Sequence, residues 1–297
     1  MNPAAPMKVA VLGAGLIGID LLTRIQQSSA LDCQLVVGRD DQARGLRSAA
    51  ELGCSTAANG VESLVTAASP FDIVFDATNA LSHAEHWARL QPFGTTLIDL
   101  TPSMVGHMVV PTINAGDAAA HANVNLISCG GQAAIPILHR LAKQYRCDYI
   151  ELVTTAATRS VGRATRLNLD EYIGTTQDAI RAFTGVANVK TIVNLSPAKP
   201  AAMFRVAISV VAPGLELELV RSLVAAAADE VRTFVPGYRV TACTVTEERA
   251  FVAVEVAASG GRIPKYAGNL DIINSAAVLI AEQHAASRVP LTAGELS

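Results

Sequence analysis

Apolar and polar positions alternate in regular blocks along the first half of the chain. Apolar runs of strand length occur at Val9–Leu12 and within the segments "CQLVVGRDD" (33–41), "DIVFDAT" (72–78), "TTLIDLTPS" (95–103) and "NVNLIS" (123–128). Stretches with helical spacing lie between and after these runs. The first of them ends at Ile25, and the others cover residues 41–51, 61–68, 80–90 and 133–145. Strand-length runs that alternate with helix-length stretches predict an α/β fold, a Rossmann-type doubly wound parallel sheet.

The pattern changes after residue 148, where strands become longer and helices fewer. The predicted strands lie near 149–157, 189–195, 203–211, 238–246 and 250–258, and the predicted helices near 169–183 and 215–234. This order predicts a second, α+β domain with a mixed sheet. We therefore expect a dinucleotide-binding domain at 1–148 and a substrate and dimerisation domain at 149–268. A helix at 269–286 is expected to pack back on the first domain.

Composition excludes several classes of protein. Hydrophobic residues make up 51% of the 297 residues and charged ones 16%, which indicates a globular protein. A net charge of −3 and 4% aromatic residues give no reason to expect nucleic acid. No signal peptide or membrane span is expected, because the start lacks a basic region and no apolar run approaches about 20 residues. The five cysteines form no CxxC pair and the six histidines show no metal-ligand spacing, so we expect a cytoplasmic protein without a metal site.

A glycine motif follows the first strand directly. Gly13, Gly15 and Gly18 form a GxGxxG pattern that encloses Ala14, Leu16 and Ile17. In dinucleotide-binding domains the first glycine permits a tight turn, the second lets the backbone approach a pyrophosphate, and the third lets helix and strand pack closely. The motif predicts a nicotinamide or similar dinucleotide cofactor.

The ends of the later strands supply further candidate cofactor contacts. Asp40 stands where an acidic residue binds the adenosine ribose, whereas its neighbour Arg39 suits a 2′-phosphate, so NAD and NADP both remain open. Thr78, Asn79 and Thr101 follow strands at the edge where such sheets bind ligands. Turn or loop residues without a ligand would have the same sequence pattern.

Cys129 stands between a predicted strand and a predicted helix, in the segment "ISCGGQAAIP". A helix N-terminus favours the thiolate, so the position predicts a lowered thiol pKa. The amides of Gly130 and Gly131 are expected to point at an oxyanion. A thiolate beside a nicotinamide indicates oxidation of a thiohemiacetal, whereas a buried and inert cysteine is the alternative.

The loop "RSVGRATRLN" carries arginines at 159, 163 and 166 among small residues. Its charge and flexibility suit an anionic ligand, such as the phosphates of a cofactor or of coenzyme A. An ordinary solvated loop is the alternative.

Seven segments in order resemble the acylating acetaldehyde dehydrogenases that partner a 4-hydroxy-2-oxovalerate aldolase in aromatic and sterol catabolism. They are "GAGLIG", "DIVFDAT", "LIDLTPS", "NVNLISCGGQAAIP", "SVGRATRLNLDEY", "VPGYR" and "YAGNLDI". The resemblance implies interconversion of an aldehyde plus coenzyme A and acyl-CoA, with NAD as cofactor. It also implies a fold similar to that of aspartate-semialdehyde dehydrogenase, a homodimer and possible association with the aldolase.

The same resemblance implies roles for individual residues. Cys129 is the expected acyl-thioester nucleophile. Besides the first glycine loop, cofactor contacts are implied for Ser160, Val161, Gly162, Arg163, Ala164, Thr165, Arg166, Leu167, Asn168 and Asn269.

The chain departs from the family pattern near the expected acyl site. Where the family has an Arg-Asp-Thr triplet, whose aspartate assists the cysteine, this chain has Arg205-Val206-Ala207. Water, a backbone group or the helix dipole would then have to support the thiolate. A phosphorylating semialdehyde dehydrogenase and a non-catalytic NAD-binding partner of an aldolase remain as alternative functions.

Overall fold

The computed structural model describes residues 5–162, 165–166, 169–260 and 262–288. Its first sheet has seven strands, all parallel, in the spatial order β3-β2-β1-β4-β5-β7-β6. The strands are β1 (Met7–Leu12), β2 (Leu31–Val37), β3 (Ser55–Ala57), β4 (Ile73–Asp76), β5 (Thr96–Asp99), β6 (His107–Met108) and β7 (Asn123–Asn125). The predicted doubly wound sheet is confirmed, and the carboxyl ends of its strands face the loops that carry most of the candidate site residues.

Six helices alternate with these strands. They are α1 (Leu16–Ile25), α2 (Arg44–Glu51), α3 (Glu62–Val65), α4 (Ala80–Leu90), α5 (Pro111–Ala118) and α6 (Cys129–Gln144). The sequence pattern gave no sign of β3 or β6, because a strand of two or three residues is too short to show periodicity. Helix α5 was not predicted either, and its backbone departs from helical geometry at Asn114. Helix α6 begins four residues earlier than predicted, because Ser128 caps it by accepting the N–H of Gly131 at 3.0 Å.

The second half folds around a five-stranded mixed sheet in the order β11-β12-β10-β8-β9. Its strands are β8 (Tyr149–Ala157), β9 (Val189–Ser196), β10 (Phe204–Val211), β11 (Tyr238–Thr246) and β12 (Arg249–Val256). Only the β8–β9 pairing is parallel. Helices α7 (Leu169–Thr184) and α8 (Leu217–Arg232) pack beside α6 and bury one face of this sheet in a continuous core.

The last helix, α9 (Gly268–Ser287), returns to the first half of the chain and packs against α1. Asn274 donates to the backbone carbonyl of Ile17 at 3.2 Å and to the carboxylate of Asp20 at 2.8 Å. This contact brings the first turn of α9 to the cleft between the two sheets. The division of the chain at residue 148 stays a prediction. No helix within the described ranges combines the length and the apolar character needed to cross a bilayer.

Candidate active site

The glycine loop is shaped partly by packing and partly by open space. Gly13 adopts a φ of 114°, and a Cβ there would lie 2.6 Å from the carbonyl oxygen of Ala77. A Cβ on Gly18 would lie 1.9 Å from the carbonyl oxygen of Gly13. At Gly15, by contrast, no described atom lies within 4 Å of the added Cβ. The first and third glycines therefore fix the turn. The second faces open space, which lets the protein backbone approach a ligand closely.

A cavity with an empty volume of about 1020 Å³ lies over this loop. Its lining includes Gly13, Ala14, Gly15, Arg39, Asp40 and Thr78. One carboxylate oxygen of Asp40 accepts the backbone N–H of Gln42 at 2.9 Å, which holds the side chain at the rim. The structure thus gathers Gly13, Ala14 and Gly15 of the predicted glycine loop, with Asp40, Thr78 and Arg39, around one space, whereas Leu16, Ile17 and Gly18 do not line it.

Thr78 is fixed by a buried network that the sequence did not reveal. Its hydroxyl donates to Asp76 at 2.6 Å, and Asp76 also accepts from Nδ1 of His83 at 2.8 Å and Nδ1 of His86 at 2.7 Å. Burial opposes ionisation of Asp76, but the two imidazoles outweigh it and hold its pKa well below the usual value. Burial raises the pKa of nearby Asp99 to about 6. The network joins the end of β4 to α4, so it forms only when this helix packs back on the strand.

Cys129 opens onto a second cavity, with an empty volume of about 670 Å³. The described residues that line it are Ile17, Leu100, Pro102, Ile127, Ser128, Cys129, Thr154, Ala156, Ser160, Val161, Gly162, Thr165, Leu169, Tyr172, Val193, Leu195, Asn269, Leu270 and Ile273. None of these side chains carries a formal charge at neutral pH. The cysteine therefore faces a mostly apolar chamber.

A smaller recess connects the two cavities. Thr78 belongs both to this recess and to the cavity over the glycine loop, while Ile17 and Thr165 belong both to the recess and to the chamber of Cys129. The recess and the two cavities therefore adjoin one another between the glycine loop and the cysteine sulfur.

The backbone amides around Cys129 differ from the sequence prediction. Gly131 donates its N–H to the hydroxyl of Ser128, and Gly130 donates its N–H to the hydroxyl of Tyr172 at 3.0 Å. The expectation that both amides point at an oxyanion is therefore wrong for this structure. The helix cap engages one amide and a tyrosine from α7 engages the other.

The predicted direction of the Cys129 pKa is also wrong. Burial raises the pKa of this thiol above its ordinary value, although the Tyr172 hydroxyl and the Gly130 amide act in the opposite direction. The oxygen of Tyr172 lies 3.3 Å from the sulfur. Desolvation in the apolar chamber exceeds what these hydrogen-bond donors supply.

Val206 lies in the wall behind the cysteine. It is buried in β10 and pairs directly with Thr154 of β8, so the two side chains share one face of the sheet. The hydroxyl oxygen of Thr154 has no hydrogen-bond partner among the described residues. Thr154 was not singled out from the sequence, and Tyr172, which ends the segment "SVGRATRLNLDEY", was given no role, because nothing in the local pattern shows that either residue lies near the cysteine.

The arginine loop is described only in part. Arg163, Ala164, Leu167 and Asn168 lie outside the described residues. Ser160, Val161, Gly162 and Thr165 line the chamber, and the backbone carbonyl of Ser160 accepts from Asn269 Nδ2 at 2.8 Å.

Two arginines and an exposed leucine form a neighbouring recess. Arg159, Arg166 and Leu16 line it together with Gly15. Neither arginine forms a salt bridge within the described part of the chain. Their guanidinium groups therefore lie beside the glycine loop with donors available to an anion.

Asn269, also predicted from the sequence, lies buried at the start of α9 with its side-chain oxygen unpartnered among described residues.

Comparisons with known proteins agree with this arrangement. A family model described as "Prokaryotic acetaldehyde dehydrogenase, dimerisation" matches residues 129–264. An acetaldehyde dehydrogenase of Streptomyces griseus subsp. griseus is 53% identical over 278 residues, which cover 94% of this chain and 90% of that protein. One from Burkholderia pseudomallei is 40% identical over 288 residues, covering 96% and 97%.

A solved structure shares the fold. The crystal structure of aspartate semialdehyde dehydrogenase II complexed with ASA from Vibrio cholerae superposes with a TM-score of 0.66, covering 93% of this chain and 97% of that one. Its sequence identity is 13%, so the likeness extends to the fold alone.

Proposed function

The chain belongs to the acetaldehyde dehydrogenase family, and on that premise we propose that it is a CoA-acylating aldehyde dehydrogenase. It interconverts a short-chain aldehyde plus coenzyme A and the acyl-CoA through a thioester on Cys129. The observation that carries this proposal is the row of adjoining cavities between the glycine loop and the cysteine sulfur.

The residues of the first cavity fit a nicotinamide dinucleotide. The open space at Gly15 accommodates a pyrophosphate, and the N-terminus of α1 directs backbone N–H groups toward it. Asp40 suits the ribose hydroxyls of NAD, and Arg39 leaves NADP as the alternative. Asn269 is proposed to contact the nicotinamide end, since it lies on the same chamber as Cys129. When bound, the nicotinamide supplies the hydride acceptor or donor.

The side chains of the chamber define the chemical steps. The thiolate of Cys129 attacks the aldehyde carbon, so that a C–S bond forms and the carbonyl electron pair moves to oxygen. A bound nicotinamide would accept the hydride that this carbon loses, and re-formation of the C=O bond would leave a thioester on Cys129. The thiol of coenzyme A, as its thiolate, then attacks the thioester carbon, and Cys129 leaves as thiolate. The reverse order reduces an acyl-CoA to the aldehyde.

The apolar wall of the chamber defines the substrate class. Val193, Leu195 and Leu169 line its interior, and the described lining contains no arginine or lysine. Among the described lining residues a substrate carboxylate would find no counter-ion, and leaving a buried ion unpaired costs several kcal/mol. This disfavours a phosphorylating semialdehyde dehydrogenase and supports an uncharged aliphatic acyl group.

The recess beside the glycine loop is the proposed position for the phosphates of coenzyme A. Arg159 and Arg166 are exposed there and suit phosphate geometry. The proposed route brings the CoA thiol past Val161 and Gly162, which belong to both the recess and the chamber.

The uncovered face of the second sheet is the proposed homodimer contact. Ile192 and Phe251 are exposed large hydrophobic residues on this face, with Ala207 and Ala253 half-buried nearby. Apolar exposure of this kind is typical of an interface. Association with an aldolase subunit is proposed from the family resemblance alone.

The test is reduction of acyl-CoAs of increasing length by NADH or NADPH, followed as loss of nicotinamide absorbance. Cys129→Ala is expected to abolish turnover, whereas Cys147→Ala, which alters a cysteine outside the cleft, is the matched control. Turnover that survives Cys129→Ala would contradict the thioester mechanism. Cofactor binding without turnover of any acyl-CoA or aldehyde would favour the non-catalytic partner, and phosphate-dependent turnover would favour the phosphorylating class.

A further inference from the structure

We propose that Tyr172 is a catalytic residue of this site, whose hydroxyl donates a hydrogen bond to the sulfur of Cys129 and stabilises its thiolate. The inference rests on the proposed function in one respect, namely that Cys129 is the nucleophile. It assigns the support of the thiolate to an uncharged donor from α7. The chain has Val206 where the family resemblance implies an aspartate for this task.

The hydrogen-bond geometry directs the Tyr172 proton toward the sulfur. Oη of Tyr172 accepts the N–H of Gly130 at 3.0 Å and lies 3.3 Å from Sγ of Cys129. An oxygen that already accepts from an amide retains its own O–H for donation. The Ser128 hydroxyl is also a neighbour of Oη, but it acts there as a donor and lowers the pKa of Tyr172, so the sulfur is the neighbour that accepts the Tyr172 proton.

No charged group competes for this role within the described lining of the chamber. The positions that face Cys129 belong to α1, the turn after β5, β8, β9, α7 and α9. All of their side chains are uncharged: Ile17, Leu100, Pro102, Thr154, Ala156, Val193, Leu195, Leu169, Asn269, Leu270 and Ile273. In this lining Tyr172 and Cys129 are the titratable side chains. A donor to the thiolate is worth most in such a place, because the low local dielectric strengthens a hydrogen bond to an ion.

Tyr172 acts as a donor and not as a base. Burial and the neighbouring Cys129 raise the pKa of the Tyr172 hydroxyl well above its usual value. The phenol therefore stays protonated through the neutral and mildly alkaline range. When Cys129 ionises, its proton leaves to solvent and Tyr172 keeps its own.

The strand that departs from the family pattern explains why this donor matters. Val206 lies beside Thr154, and Thr154 in turn is close to Gly130, where an added Cβ would lie 2.4 Å from the Thr154 hydroxyl oxygen. The position at which the family resemblance implies an aspartate is thus an apolar neighbour of the cysteine turn. A hydroxyl that contacts the sulfur directly supplies stabilisation that this valine does not.

The experiment measures the pKa of the Cys129 thiol directly, from the rate of alkylation by iodoacetamide between about pH 7 and 11, a range that extends well above the ordinary thiol pKa because burial raises it. The alkylated Cys129 peptide is quantified by mass spectrometry, so other cysteines do not interfere. In Tyr172→Phe the ring remains and the hydroxyl is lost. We expect the thiol pKa to rise by about 1 to 2, with roughly tenfold to hundredfold less thiolate at a fixed pH.

The matched control is Tyr149→Phe, which removes a hydroxyl from the far end of β8, where it contacts Glu151. It is expected to leave the alkylation profile unchanged. A second variant carries 3-fluorotyrosine at position 172, which keeps the shape and strengthens the donor, and it should lower the thiol pKa. A purely structural role for Tyr172 would affect unfolding but leave both pH profiles in place.

An unchanged alkylation profile in Tyr172→Phe or in the fluorotyrosine variant would overturn the inference. Because alkylation needs neither coenzyme A nor an aldehyde, it reports on Tyr172 even where acyl-CoA turnover fails. Where turnover is present, kcat of Tyr172→Phe should fall by roughly the same factor as the thiolate fraction and recover at higher pH.

Discussion

Arg24 connects α1 to α9, and its removal tests how these two helices are held together. Its Nε lies 2.7 Å from a carboxylate oxygen of Asp20, a second nitrogen contacts Asp271, and a third donates to Ser275 at 2.9 Å. The two carboxylates are 3% and 0% exposed. Substitution by methionine keeps much of the packing volume but leaves both acids without their cation.

The expected loss follows from that burial. Removing one partner of a buried ion pair typically costs about 3–5 kcal/mol, because the remaining charge stays desolvated. An exposed pair is worth about 0.2–1 kcal/mol. Arg24→Met should therefore lose a large part of a stability that is typically about 5–15 kcal/mol.

The assay is urea unfolding followed by circular dichroism at neutral pH. The matched control is Arg221→Met, which breaks a pair with Glu218 whose side chains are 52% and 83% exposed. Adding Asp20→Asn and Asp271→Asn to Arg24→Met should recover part of the loss, since it removes the stranded charges. Equal and small losses in Arg24→Met and Arg221→Met would refute the reasoning.

Three further outcomes are expected. In Asp76→Asn the loss of stability on acidification should be shallower than in the parent protein, as measured by urea unfolding at roughly pH 3, 5 and 7. The reason is that the folded pKa of Asp76 is depressed, so its contribution is present above the ordinary carboxyl pKa of about 4 and disappears as the pH falls. Cys33 and Cys54, whose sulfurs lie 3.8 Å apart, should form a disulfide with diamide, detected as the loss of two hydrogens by intact mass and absent in Cys54→Ser. Phe251→Glu should convert the proposed dimer to monomers in light scattering with little effect on unfolding, because its side chain is already 37% exposed.

Sequence periodicity identified the parallel sheet and most of the second sheet, because both depend on long apolar runs that repeat at strand or helix spacing. Strands β8 and β11 have the predicted limits, and α4 has the predicted limits as well. The motif around Gly13, Gly15 and Gly18 was also readable, since its spacing is imposed by local backbone geometry. Cys129 was identifiable as a candidate nucleophile by its place before a helix.

Only the tertiary structure decided what surrounds that cysteine. Tyr172 arrives from a helix 43 residues along the chain, and Thr154 from a strand of the other sheet. Their proximity to the sulfur, the occupied amides of Gly130 and Gly131, and the raised pKa of the thiol all arise from the packing of separate elements. Local sequence records how a segment folds, whereas desolvation and hydrogen bonding at the sulfur depend on distant residues brought together by the folded core.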